Sequence, residues 1–142
     1  MKPVYLLDTN VLSDFSKLIP NENLINKINE NHECCAICST VWQEFVRGYE
    51  LMPAGRKKEY IEECLYDIKE SYEIIPYDSL AAQICGELQA KCAKQGKTLA
   101  RYDCQIAATA IANGMVLITH NTADYEAICE NSMLKVEDWW ED

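Results

Sequence analysis

The chain has 142 residues, with 13 Lys and Arg against 23 Asp and Glu, a formal charge of −10. At 49% hydrophobic and 25% charged residues it has the balance of an ordinary globular domain, and its length supports one core without a metal or disulfides. The acidity argues against binding nucleic acid through a broad basic surface, because phosphate contacts depend on Lys and Arg displacing counterions. A nuclease stays open, since carboxylates that hold metal ions add to the deficit and the ions cancel part of it.

In chain order, residues 4–7 form a short apolar run that reads as a strand buried on both faces. Asp8-Thr9-Asn10 supplies turn and cap chemistry before a helix over 11–18, Pro20 and Asn21 interrupt, and 22–31 reads as a second helix. A strand over 34–39 leads to Thr40, placed to cap a helix over 41–52 that Pro53 and Gly55 end. Residues 56–70 are charged and helical, and 73–76 make a short strand. Asp78 can cap a long helix over 79–95, closed by Gly96. A loop over 97–102 precedes a helix over 103–113 and Gly114. A strand over 115–119, a short helix near 123–129 and a strand near 134–136 complete the chain.

Strands alternating with helices predict an α/β fold, a single domain over 1–142 with a mainly parallel sheet of about four or five strands flanked by helices. Such a sheet places its ligand site at the carboxyl ends of its strands. No apolar run reaches the roughly 18 to 20 residues that span a bilayer, and the opening segment meets Asp8 too early for a secretory signal, so a cytoplasmic protein without a membrane partner is expected. That compartment keeps thiols reduced. Cys35-x-x-Cys38 beside His32 resembles half a zinc site, but it lies in an apolar strand whose alternate residues face opposite ways, so these thiols read as small core residues.

The informative feature is acid on faces that should be apolar. Val41, Glu44, Phe45, Gly48, Tyr49 and Met52 follow one helical face, as do Asp103, Ile106, Ala107, Ala110 and Ile111. Burying an unpaired carboxylate costs several kcal/mol or raises its pKa until it is neutral. No Lys or Arg matches these acids on their faces, which leaves a bound cation as the simplest partner. Asp8 follows the first strand and Asp124 lies just past the 115–119 strand, so Asp8, Glu44, Asp103 and Asp124 can meet at one sheet edge. Oxygen ligands select Mg²⁺ or Mn²⁺ over zinc. Singly, each acid has a plainer use: Asp8 as a cap, Asp103 as a first-turn acid, Glu44 at a face margin, Asp124 in a loop.

Leu7-Asp8-Thr9-Asn10, Glu44-Phe45 with Gly48, Asp103-Cys104-Gln105-Ile106-Ala107-Ala108-Thr109-Ala110, Thr119-His120-Asn121-Thr122-Ala123-Asp124-Tyr125 and Val136-Glu137-Asp138-Trp139 together resemble the PIN-domain ribonucleases, most of all VapC toxins of toxin–antitoxin modules. The resemblance covers nearly the whole chain. It implies that Asp8, Glu44, Asp103 and Asp124 are the catalytic, metal-binding acids, with Thr9, Asn10, Thr119 and Asn121 orienting ligands or a water from behind. It further implies an Mg²⁺- or Mn²⁺-dependent endoribonuclease acting on a structured RNA such as tRNA or rRNA, neutralised by a VapB-like antitoxin and commonly homodimeric. Two departures stand out: Ala100-Arg101-Tyr102 lacks the proline many relatives carry before the third acid, and Tyr125 replaces the usual Phe.

Arg47, Lys94, Lys97 and Arg101 flank the motif segments and are candidate RNA-binding residues, with surface solvation their default use. His120 beside Asn121 reads as incidental. Competing readings are a PIN-like module that binds RNA or a partner without cutting, and a phospho-acceptor receiver domain with Asp78 as acceptor. The receiver would want adjacent acids after the first strand and a lysine after a late one, where this chain has Asp8-Thr9-Asn10 and Thr119-His120-Asn121.

Overall fold

A computed structural model describes residues 2–141. Five strands, β1 (Tyr5–Leu7), β2 (Cys35–Cys38), β3 (Glu73–Ile75), β4 (Val116–Ile118) and β5 (Val136–Glu137), form one sheet in the order β3-β2-β1-β4-β5, and every neighbouring pair is parallel. Seven helices cover it: α1 (Thr9–Phe15), α2 (Glu22–Glu30), α3 (Ser39–Leu51), α4 (Arg56–Ser71), α5 (Ser79–Lys94), α6 (Arg101–Ala112) and α7 (Glu126–Glu130).

The sheet is buried because its strands are apolar on both faces: Leu6, Leu7, Ala36, Ile37, Cys38, Leu117 and Ile118 are all fully enclosed. The strand order runs outward from β1 through β2 and β3 on one side, and through β4 and β5 on the other. The order therefore reverses between β1 and β4, where a parallel sheet leaves a crevice at its carboxyl edge. Asp8 sits at that edge with its backbone N–H still in the ladder, bonded to the Ile118 carbonyl at 2.9 Å.

The fold and most elements match the sequence pattern, and several boundaries move. The first helix begins at Thr9 rather than 11, because the Asp8 side chain caps it directly (Thr9 N to Asp8 Oδ1, 2.7 Å). The third begins at Ser39, so Thr40 is inside it and no cap; its buried hydroxyl instead donates to Gln105 Oε1 on α6 at 3.1 Å. The loop predicted to reach residue 102 ends at Ala100, and α6 gains a half turn before Asp103. The segment near 123–129 is split into a 3-10 turn (Thr122–Tyr125) and α7. The last strand lies at Val136–Glu137, two residues further on than its apolar run begins.

Asp78 caps α5 through Ala81 N at 3.0 Å, which gives this carboxylate a structural use and removes the ground for a phospho-acceptor there. Helix α6 is buried almost all round by Cys104, Ile106, Ala107, Ala108, Thr109 and Ala110, whose small side chains let α5 pack closely. Gly114 then takes the left-handed conformation (φ 64°) that turns the chain from α6 into β4. Cys35 and Cys38 are buried in β2, and burial pushes their thiols up to about 12 and about 11, unlike the thiolates that bind zinc.

Candidate active site

Asp8 is 5% exposed and is the buried anchor of the site. Its Oδ2 accepts from the Thr119 hydroxyl at 2.8 Å and the Tyr125 phenol at 3.0 Å, with Asn10 Nδ2 at 3.4 Å. Its Oδ1 accepts only the Thr9 N–H, so that oxygen keeps an open lone pair. Burial pushes this carboxyl above the ordinary Asp range; the bonds from Thr119, Thr9 and Tyr125 pull it back, and the charge of Asp124 adds to the push.

Glu44 is half-buried on α3, facing α1, and its Oε1 accepts the Thr9 hydroxyl at 2.7 Å. Thr9 thus braces two acids at once, Asp8 with its N–H and Glu44 with its hydroxyl. Asp103, half-buried in the first turn of α6, has its carboxyl pushed up to about 6, first by burial and then by the charges of Asp8, Asp124 and Glu44. All four acids therefore share one electrostatic neighbourhood although the sequence carries them from residue 8 to residue 124. Asp124, exposed on the 3-10 turn, forms the rim.

Behind the acids, Thr119 Oγ1 joins three segments: it donates to Asp8 and accepts from Asn10 Nδ2 at 2.9 Å and from Asn121 N at 3.1 Å. Asn10 Oδ1 also accepts the His120 N–H at 3.2 Å. Of the four polar helpers, Thr9, Asn10 and Thr119 act through their side chains. Asn121 contributes its backbone, through its N–H to Thr119 and its carbonyl to Asp124 N at 3.1 Å, and its side chain points into water.

Sequence reasoning missed Tyr125, which it noted only as a departure from Phe. The ring is fully buried and its hydroxyl lies 3.0 Å from Asp8 and 3.4 Å from Asp103. Burial and the surrounding acids push this phenol far above its ordinary pKa, so it is a fixed donor. The signal available was a hydroxyl added to a core position one residue after an acid.

The basic candidates divide. Arg47 lies three residues past Glu44 on α3 and Arg101 two before Asp103 on α6, both exposed. Lys94 is exposed at the end of α5, while Lys97 is drawn into an ion pair with Glu130 at 3.0 Å. From Thr9 and Glu44 a groove of about 280 Å³ leads between α1, α3 and α4 over Phe45, Tyr49, Met52 and Ile61.

The donor set is entirely carboxylate oxygen, which suits a hard divalent ion. Among the described residues no three His, Cys, Asp or Glu side chains are gathered closely enough to hold a metal ion by themselves. Mg²⁺ usually keeps several waters and takes only one or two carboxylates directly, so it would not require such a group.

The PIN domain family model matches residues 5–130, and the chain belongs to the PIN-domain family. Within it the chain is 30% identical over 137 residues to the tRNA(fMet)-specific endonuclease VapC of Shigella flexneri, spanning 95% of this chain and 97% of that protein. It is 29% identical to Ribonuclease VapC2 of Haemophilus influenzae, again spanning 95% and 97%. Its fold superposes on FitAcB from Neisseria gonorrhoeae with a TM-score of 0.87 and 27% identity, covering 98% of this chain and 100% of that one. DNA-bound VapBC from Salmonella typhimurium gives 0.82 and 26%, covering 96% and 98%.

Proposed function

We propose that this protein is a divalent-metal-dependent endoribonuclease of the VapC type, acting in the cytoplasm on a structured RNA such as a tRNA and held in check by a cognate antitoxin. The observation that supports the reading is the hydrogen-bonded chain at the β1/β4 edge in which Thr9 joins Asp8 to Glu44 and Tyr125 joins Asp8 to Asp103. An enzyme with no use for a cation gains nothing from the repulsion among acids so joined.

The four acids would hold Mg²⁺ or Mn²⁺, which when bound activates water and stabilises the charge that develops at the phosphate. Thr9 and Thr119 hold Asp8, and Thr9 also holds Glu44, through their hydrogen bonds. Asp103, in the first turn of α6 and within reach of the Tyr125 hydroxyl, would accept the proton of the attacking water. A water oxygen would attack phosphorus as its proton passes to Asp103, the P–O3′ bond would break, and the departing O3′ would take a proton from solvent, giving 5′-phosphate and 3′-hydroxyl ends. Arg47 and Arg101 would meet flanking phosphates.

The likeness to a toxin–antitoxin complex from Klebsiella pneumoniae, 25% identical with a TM-score of 0.67, supports an antitoxin partner, and the groove leading from Glu44 over Phe45, Tyr49, Met52 and Ile61 offers that partner apolar contacts beside an acidic end. A basic side chain at the tip of the partner segment would complement the acids.

The test is purified protein on a panel of transfer and ribosomal RNAs with and without Mg²⁺ or Mn²⁺, beside Asp8→Asn and Asp103→Asn. Metal-dependent cleavage lost in both variants is expected. Binding without cutting in every metal would instead establish a non-cleaving module.

A further inference from the structure

His120 follows β4 and is held from three directions. Its backbone N–H bonds Asn10 Oδ1, its Nδ1 lies 3.2 Å from Asp138 Oδ2, and its ring stacks on Trp140 with centroids 4.6 Å apart and planes inclined by 26°. The partners are fixed in turn. Asp138 Oδ1 accepts the Trp140 N–H at 2.9 Å, the Trp140 carbonyl accepts Asn23 Nδ2 at 3.2 Å, and the indole reaches the Asp14 carboxylate. Despite these restraints 49% of the His120 side chain is open to water. One ring face is taken by Trp140 and the Nδ1 edge by Asp138, so what remains open is the opposite face and the Nε2 edge.

The backbone that carries this ring is tied to the acidic site: Asn10, which takes the His120 N–H, also bonds Thr119, and Thr119 bonds Asp8. The electrostatics of the crevice favour a charge-free contact at such a place. The chain carries −10 overall and the site concentrates four acids, so a polyanionic strand gains little there from Coulomb attraction. Stacking of a base on an aromatic plane needs no positive charge, and a ring already fixed loses no rotamer freedom on binding.

We infer that the open face of His120, backed by Trp140, is a stacking platform for a nucleobase of the bound RNA, next to the phosphodiester that is cut. The inference rests on the RNA-cleaving reading above and adds to it where one base of the substrate lies. Stacking is tolerant of base identity, so the platform contributes affinity and register rather than sequence choice.

The experiment is fluorescence anisotropy with a labelled adenine octamer of RNA and the matching abasic ribose-phosphate octamer, with Ca²⁺ in place of Mg²⁺. The proteins are wild type, His120→Ala, His120→Phe and Trp140→Ala, each checked for folding by its thermal transition. The wild type is expected to prefer the adenine octamer by about 5- to 100-fold, the range set by one stacked base. His120→Ala should lose that preference and His120→Phe should keep most of it, because a phenyl ring stacks without Nε2. An intermediate loss is expected for Trp140→Ala. Equal preference in wild type and His120→Ala, or no preference in the wild type, overturns the platform, as does a loss in His120→Phe equal to that in His120→Ala. A stacking preference that survives while no RNA is cut in any metal would leave the platform and remove the nuclease.

Discussion

The Tyr125 hydroxyl lies 3.0 Å from Asp8 Oδ2 and 3.4 Å from Asp103 Oδ1, so one buried phenol links two acids that lie far apart in the sequence. Its single proton serves the nearer Asp8, and the oxygen limits how far the α6 carboxyl can swing. Tyr125→Phe keeps the ring and its packing and removes only this link. Groups that orient metal ligands from behind typically account for about 10- to 100-fold in affinity. Calorimetric Mn²⁺ binding should weaken about tenfold in Tyr125→Phe, with the thermal transition of the metal-free protein little changed. Unaltered Mn²⁺ affinity would show that the phenol is packing alone.

Asp103 and Asp14 respond to pH in opposite senses. Asp103 has its carboxyl raised to about 6 from an ordinary 3.8, so its contribution to stability is present below about 4 and is lost as pH rises towards 6. Asp103→Asn should therefore stabilise the metal-free protein at pH 7, by about 1 kcal/mol because water screens the open side of the carboxyl, or roughly 3–5 °C in Tm. Added Mg²⁺ should raise Tm in the wild type and erase or reverse the advantage of the variant. A lower Tm for Asp103→Asn in EDTA would contradict the repulsion argued for the site.

Asp14 behaves conversely. Burial pushes its carboxyl up, but Asn21 N–H at 2.9 Å and Lys17 Nζ at 3.2 Å, with the Trp140 indole, hold it below the ordinary range. Its contribution is present above about 4 and disappears as pH falls through its lowered pKa. Asp14→Ala should cost about 1–3 kcal/mol at pH 7, since the Asn21 N–H loses its partner, and clearly less at pH 3. Urea melts at both pH values measure this; equal losses would show that the bonds act through packing rather than charge.

Arg47 and Arg101 are exposed on the helices that carry Glu44 and Asp103, and among the described residues neither is in an ion pair, whereas Lys97 is paired with Glu130. Replacing either arginine by Ala should weaken RNA binding at low salt and reduce the slope of log K against log salt by about one. Lys97→Ala should leave that slope unchanged. The opposite ranking, read from binding at several salt concentrations, would move the substrate path towards α5 and α7.

The fold and the four acids were legible because both follow from pattern. Strands buried on two faces read as apolar runs, and a carboxylate breaks an apolar helical stripe visibly at Glu44 and Asp103. The start of α6 was not legible: Ala100 caps it without a side-chain bond, and Arg101 stands in a first turn where the helix dipole favours acids. Thr40 looked like a cap because it precedes an apolar run, yet it faces Gln105 across sixty-five residues. Contacts of that kind, with Tyr125 to Asp8 and His120 to Trp140 among them, depend on tertiary placement that no local window contains.

The pairing of β1 with β4 has a consequence for biosynthesis. Tyr5 is in register with Val116, and Thr119 reaches back 111 residues to hold Asp8, so the first acid has no finished surroundings until the β4 segment and Tyr125 have left the ribosome. A nascent chain of this protein therefore cannot assemble its acidic site until synthesis is almost over.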